Sequence, residues 1–388
     1  MIVDQSLIET HSNSSVVVNL EQFHHKKFKL TISETAFIIE EWSKNKWIET
    51  DCDPGFPIVH SHYKIVQSHP LSIFQNFLYD KRTDGINYYY HLQASLLRCI
   101  SSNYYAEQIY RDNPVLLWII INHFGTNNLN KLLEKRRTEI LSEICGHSEK
   151  KHISFIRKLR PTSGYQSEIK TVIDSLSRQE IISEFTHWKT VPIQAIAISL
   201  QNPILLGSKI LRALENTNQD EFQEQAKSIT SSIHVFIECI RIGKAIGFKS
   251  PENILANIPT TNRLFEIHDK WTQILNRQSK YLEHDENLPF CPLKNDKTIT
   301  HISTVNELIK EGKEMEHCVG SYIEKSKNKS CYIFKITNPE RATLEISKGK
   351  NEFRIAQIKG RHNTSVSDET VLYVKNWLDT ENATIFGK

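Results

Sequence analysis

Glycine and proline are both scarce, 13 and 12 in 388 residues, roughly half of ordinary usage. A chain of many short strands needs tight turns at regular spacing, so this scarcity excludes an all-β sandwich or barrel over the whole length. Long apolar runs are missing as well. The densest, Val115-Leu116-Leu117-Trp118-Ile119-Ile120-Ile121, falls far short of the roughly 20 residues that cross a bilayer, which predicts no membrane partner. The first residues, MIVDQSLIETHSNSS, hold neither the basic stretch nor the apolar core of a secretory signal. The seven cysteines, Cys52, Cys99, Cys145, Cys239, Cys291, Cys318 and Cys331, form no CxxC pair. That disfavours a disulfide framework and a treble-cysteine zinc site and predicts reduced thiols in the cytoplasm. Net charge is nearly absent, +3 over the whole chain, so the average says little about partners.

The length calls for more than one domain. Residues 1–70 read as a mixed α/β lobe. Ser14 to Leu20 and Lys27 to Ile32 are rich in β-branched and apolar residues and are expected to be strands. A helix is expected to open at Ser33-Glu34-Thr35-Ala36, run through Trp42 and Trp47, and stop at the Asp53-Pro54-Gly55 turn. Residues 71–287 read as a helical domain, able to recruit a protein partner. Ile229, Ile233, Phe236, Ile237 and Ile240 recur at steps of three and four, as do Leu264, Ile267, Trp271 and Ile274, the spacing of a buried helix face. Residues 288–388 change character. Thr304-Val305-Asn306-Glu307 is a capping box. Ser330 to Ile336, Ala342 to Ile346 and Phe353 to Ile358 are β-rich, residues 347–352 form a hairpin connection, and a last helix spans Asp368 to Leu378. The fold class is α+β: a mainly helical N-terminal and central region, then a small C-terminal α+β domain with an antiparallel β-meander.

Charge is unevenly placed. From residue 291 onward there are 16 Lys and Arg against 13 Asp and Glu, whereas the first 290 residues hold 32 of each. Between Lys325 and Arg361, ten cations face only Glu340, Glu345 and Glu352. A basic meander of this kind predicts a nucleic-acid partner, RNA or DNA.

The densest polar block is Glu316-His317-Cys318-Val319-Gly320-Ser321-Tyr322. His317 can exchange a proton near neutral pH. Cys318 could be a nucleophile if a neighbour ionised it. Adjacent side chains diverge, however, so His317 and Cys318 are expected to face different ways, with Cys318 the buried one. A second polar cluster, Gln357, Lys359, Gly360, Arg361, His362 and Asn363, ends the meander. In a hairpin, the Thr343 and Glu345 face would lie beside Gln357 and Lys359.

Glu311 to Tyr322, then Arg341-Ala342-Thr343-Leu344-Glu345-Ile346, then Gln357-Ile358-Lys359-Gly360-Arg361-His362-Asn363 resemble the PcfJ-like family of bacterial conjugative plasmids and prophages. That family's pattern is a Met-x-His-Cys-Val-Gly-x-Tyr block, a Thr-Leu/Ile-Glu strand and a Gln-x-x-Gly-x-x-Asn strand end. The resemblance covers about residues 285–380. The Gly expected after the Tyr block is absent, with Lys327-Asn328-Lys329-Ser330 in its place. The family setting implies a mobile-element or phage-defence role.

Three activities are compatible with these residues. The first is a metal-independent nuclease, RNA favoured. His317, Tyr322, Gln357 and Lys359 would be catalytic, and Ser321, Lys335, Arg341, Thr343, Glu345, Arg354, Arg361 and Asn363 would hold the nucleic acid; no metal or cofactor is implied, since acidic residues at nuclease spacing are missing. The second is a non-catalytic nucleic-acid-binding or assembly protein of a mobile element. The third is a Cys318-dependent transferase or hydrolase, weakened because His362 is the one visible partner for the thiol.

Overall fold

A computed structural model describes residues 4–12, 14–32, 36–60, 69–79, 85–126, 129–146 and 148–386. It divides into two compact units, Met1–Gly207 with Leu211–Lys227, and Ser208–Ile210 with Ser228–Lys388. Among the described residues no helix is long and apolar enough to cross a membrane.

The first unit opens with a five-stranded antiparallel sheet in chain order: β1 (Ile8–Ser12), β2 (Ser15–Leu20), β3 (Lys26–Ile32), β4 (Phe37–Ser43) and β5 (Lys46–Glu49). The two expected strands are β2 and β3. The expected helix through Trp42 and Trp47 is instead the β4–β5 hairpin. Phe37 and Ile39 are buried at period two, which competes with the helical reading of the same apolar residues. Lys44 and Asn45 both adopt positive φ, the geometry of a two-residue hairpin loop. Trp42 then pairs with Trp47 across the strands, ring centroids 5.1 Å apart. Ser33 to Thr35 lie outside the described residues. Helices come next, and the apolar run Val115–Ile121 lies in the Pro114–Phe124 helix, buried on every side, as a run too short for a membrane must be.

The second unit carries the rest of the Gln219–Ala245 helix, the Thr261–Gln278 helix, and a four-stranded antiparallel sheet ordered β11-β10-β9-β8. The chain has a two-residue β6 (Leu159–Arg160) and β7 (Val191–Pro192) in the first unit; β8 is Ile299–His301, β9 Cys331–Ile336, β10 Ala342–Lys348 and β11 Phe353–Lys359. The buried face of the first helix is Ile229, Ser232, Val235, Phe236, Cys239 and Ile240, and Ile237 points to solvent. On the second helix the buried stripe is Leu264, His268, Trp271 and Leu275, one step out of phase with the apolar pattern of the sequence. The Thr304 capping box forms as expected, with Thr304 and Glu307 each accepting from the other's backbone N–H. The helix runs Val305–Met315, past Gly312, and the last helix extends to Phe386.

One face of the sheet packs Phe334, Ile336, Leu344, Ile346 and Phe353 under Val374, Leu378 and Trp377 of the last helix. A bulge in β11 reconciles its two faces. Glu345 pairs with Gln357 but the next residue, Ile346, pairs with Ile355. The extra residue, Ala356, keeps Ile355 and Phe353 on the core side while Gln357 and Lys359 stay on the other. Replacing Thr304 by Ala should cost about 1 kcal/mol, read as a lower denaturant midpoint of the second unit with an unchanged slope.

Candidate functional site

The site begins where the Val305–Met315 helix stops. Glu316 adopts φ +52 and closes the helix, its N–H bonded to the Gly312 carbonyl. The His317 N–H also reaches that carbonyl, at 3.2 Å. The chain therefore folds back over Gly312, where an added Cβ would lie 3.0 Å from the Gly320 nitrogen. The short turn Cys318–Tyr322 comes next, and it points His317, Cys318 and Tyr322 inward over the polar face of the sheet. Both His317 and Cys318 are buried. The expectation that one of the two would face outward is thus corrected: an extended His317 (φ −134) ahead of a tight turn lets neighbours share a direction that a regular helix or strand forbids.

The hairpin register places Thr343 opposite Lys359 and Glu345 opposite Gln357. His317, Cys318, Tyr322, Thr343, Glu345, Gln357, Lys359 and Asn363 line one small pocket, with a volume of about 20 Å³, room for one water. The expected catalytic set His317, Tyr322, Gln357 and Lys359 is thereby brought together.

His317 Nε2 lies 2.8 Å from the Thr343 hydroxyl, which itself donates to Glu311. A hydroxyl has one proton, so Thr343 accepts from Nε2–H, and Nδ1 is left bare, buried and without a partner among the described residues. Arg341 clamps Glu311 through both oxygens. Burial pulls the His317 imidazole down to about 4, against the opposing charge of Glu311, so it is neutral at pH 7.

Tyr322 stands between two carboxylates, Glu345 buried and Glu238 nearly so. Its hydroxyl donates to Glu238 Oε1 at 2.8 Å and accepts from Gln357 Nε2 at 2.8 Å; Gln357 also reaches Glu345 at 2.9 Å, and Lys325 pairs with Glu345. Arg241 stacks on the Tyr322 ring, 3.8 Å from its centroid. Burial and the Glu238 charge push the phenol well above its ordinary range; it stays protonated.

Glu238, His268 and Cys318 come from three different elements, yet one oxygen, nitrogen and sulfur of these lie within 4.8 Å of one another. His268 Nε2 is 3.3 Å from Glu238 Oε2, off the line of a hydrogen bond, so the attraction is that of an ion pair. Nδ1 is 3.3 Å from Asp269. Burial opposes charge on His268, but its contacts with Cys318 and Glu238 lift the imidazole to about 10. Burial likewise opposes charge on Glu238, and His268, Tyr322 and Arg241 hold it at about 2. Glu238 is therefore anionic and His268 cationic at pH 7. The three side chains have metal-ligand chemistry, but Arg241, 3.7 Å from the Glu238 carboxylate, already supplies positive charge there.

The residues expected to hold nucleic acid are not gathered. Thr343, Glu345 and Asn363 line the pocket. Ser321 accepts from Arg241 at 2.9 Å. Lys335 pairs with Glu314, Arg341 with Glu311, Arg354 with Glu352 and Arg361 with Glu316. The basic excess counted along the meander ignores carboxylates that the fold brings from Glu286, Glu311, Glu314 and Glu316.

Glu238, Arg241 and His268 escape the sequence reading. The signal for His268 is its place four residues after Leu264 and three before Trp271, a polar residue on a buried stripe. Glu238 adjoins Cys239 on the buried side of its helix but has no such mark.

Residues 236–372 match the model of a family described as PcfJ-like protein. The match begins far upstream of the three sequence blocks and takes in the end of the helix that carries Glu238 and the whole of the helix that carries His268. No curated protein and no solved structure matches the chain.

The neutral His317 should leave a mark on acid stability. Its imidazole is lowered in the fold, so the unfolded chain binds its proton first. The contribution is whole above about pH 6.5 and is lost as pH falls toward 4, up to about 3 kcal/mol. A His317→Gln protein should show a smaller drop in denaturant midpoint between pH 7 and pH 4.5 than wild type.

Proposed function

We propose that the PcfJ-like domain, residues 236–372, is a cysteine-dependent transferase or hydrolase. Cys318 is the nucleophile, His268 its proton partner, and Glu238 the carboxylate that holds the imidazole. The observation that carries this reading is the gathering of those three side chains. It answers the objection that Cys318 has no partner but His362. Arg241 and a protonated His268 flank Glu238, and Asp269 lies on the other side of the imidazole; a thiol beside a cationic imidazole is the setting in which a cysteine becomes nucleophilic.

In an acyl substrate, the sulfur bonds to the carbonyl carbon as the bond to the leaving group breaks. The leaving group departs with the proton of His268. A water then attacks the thioester, giving its hydroxyl to the acyl carbon and a proton to His268, and the sulfur leaves as the thiolate. Lys359, in the same pocket, is the cation available to charge developing on the acyl oxygen. A transferase differs in that an acceptor replaces the water.

The nuclease reading built on His317 draws less support, because Nε2 is committed to Thr343 and burial keeps the ring neutral. A nucleic-acid partner, and the mobile-element setting that goes with it, remain part of the proposal: Lys329, Lys348, Lys350 and Lys359 have no carboxylate partner among the described residues. A cytoplasmic place is supported by seven free thiols.

Iodoacetamide labelling of the native protein, with peptide mass spectrometry as the readout, tests the reading. Cys318 should label ahead of the other buried thiols, and His268→Ala should slow it roughly tenfold or more. An inert Cys318, a His268→Ala protein labelled at the wild-type rate, or stoichiometric zinc whose removal is needed for labelling would each overturn it.

A further inference from the structure

Beside the Cys318 pocket lies a larger, open cleft of about 560 Å³. The exposed side of the Thr261–Gln278 helix forms one wall, and Lys313, Glu316 and the Arg361–Asn363 turn form the other. Asn363 lines both the cleft and the pocket, so the two share a wall.

Two features of the cleft point to the same kind of occupant. The first is charge. Two carboxylates line it, Asp269 and Glu316, but each already faces a partner: Asp269 faces His268 Nδ1, and Glu316 holds Arg361 and His362. Arg277 and Lys313 line it too, and neither has an ion pair among the described residues; the Lys313 ammonium sits over the Tyr281 ring, 4.5 Å from its centroid. The cleft thus offers two uncompensated cations. The second is size, which falls in the range of sites that enclose a small organic molecule.

We infer that this cleft binds the phosphate ester of a nucleotide, with Arg277 and Lys313 on the phosphate oxygens. A planar guanidinium and an ammonium together suit a phosphate better than a single carboxylate. The amide side chains of Gln273, Asn276 and Asn363 offer both donors and acceptors to the sugar and base. The phosphate ester can come from a free nucleotide or from the backbone of a single strand. The inference rests on the proposed thiol chemistry for the step after binding, since it names the molecule that carries the group Cys318 attacks. Binding itself needs no thiol reaction, so an inert Cys318 would remove the catalytic reading and leave this one standing.

The test is fluorescence anisotropy with short fluorescein-labelled single strands of RNA and DNA and the full-length protein. Nucleoside monophosphates serve as competitors. Arg277→Gln and Lys313→Gln, both at solvent-accessible positions, should each weaken binding roughly tenfold, and Arg277→Lys should recover most of the loss. Affinity should fall steeply with salt. Full competition by a monophosphate assigns a free nucleotide; binding of a strand that monophosphates do not displace assigns the backbone. The inference is overturned if neither strand nor monophosphate binds below about 1 mM, or if both Gln variants bind as wild type does.

Discussion

Glu238 is a carboxylate almost withdrawn from water, and every other part of the site is arranged around its charge. Tyr322 donates to one oxygen, His268 faces the other, and Arg241 lies alongside. Removing this one anion would leave an imidazolium and a guanidinium close together with only Asp269, a carboxylate largely in water, to offset their repulsion. It would also free the Tyr322 hydroxyl, which through Gln357 fixes Glu345 and so the pairing of Lys325. The polar wall of the sheet and the two helices are joined through that carboxylate.

The opposite side of the pocket is held by a second buried carboxylate, Glu311, with Arg341 and Thr343 upon it and His317 upon Thr343. The two networks differ in what they leave available. The Glu311 network uses its members up: Arg341 has both amino groups on one carboxylate, and His317 is neutral. The Glu238 network keeps a charged imidazole against a thiol. A buried charge pair with a reactive group at its edge is a common arrangement for a nucleophile, whereas a saturated network is a common way to pin a turn. Polar residues next to each other in the chain, His317 and Cys318, thus belong to two different systems.

Much of the second unit was legible in its sequence. The capping box, the three long strands, their hairpin connection and the last helix are all local patterns, set by spacing and turn chemistry. So was the sharing of one face by Thr343, Glu345, Gln357 and Lys359, because a strand alternates and a hairpin brings its strands together. The N-terminal hairpin was misread because Phe37, Ile38, Ile39 and Trp42 satisfy a helical spacing as well as an alternating one. What separates the two is the left-handed backbone at Lys44 and Asn45, which neither residue announces as a glycine would.

The sequence by itself determined the α+β class, the resemblance to the PcfJ-like family and the short list of residues around the pocket, since these depend on order along the chain. Only the tertiary structure decided which charges are neutralised and which thiol has a partner. Six of the ten meander cations meet carboxylates, several of them from outside the meander, and Cys318 meets an imidazole from a helix dozens of residues upstream. Electrostatic attraction depends on distance through space, and distance through space between remote segments is a property of how the helices and sheet pack, not of the spacing between letters.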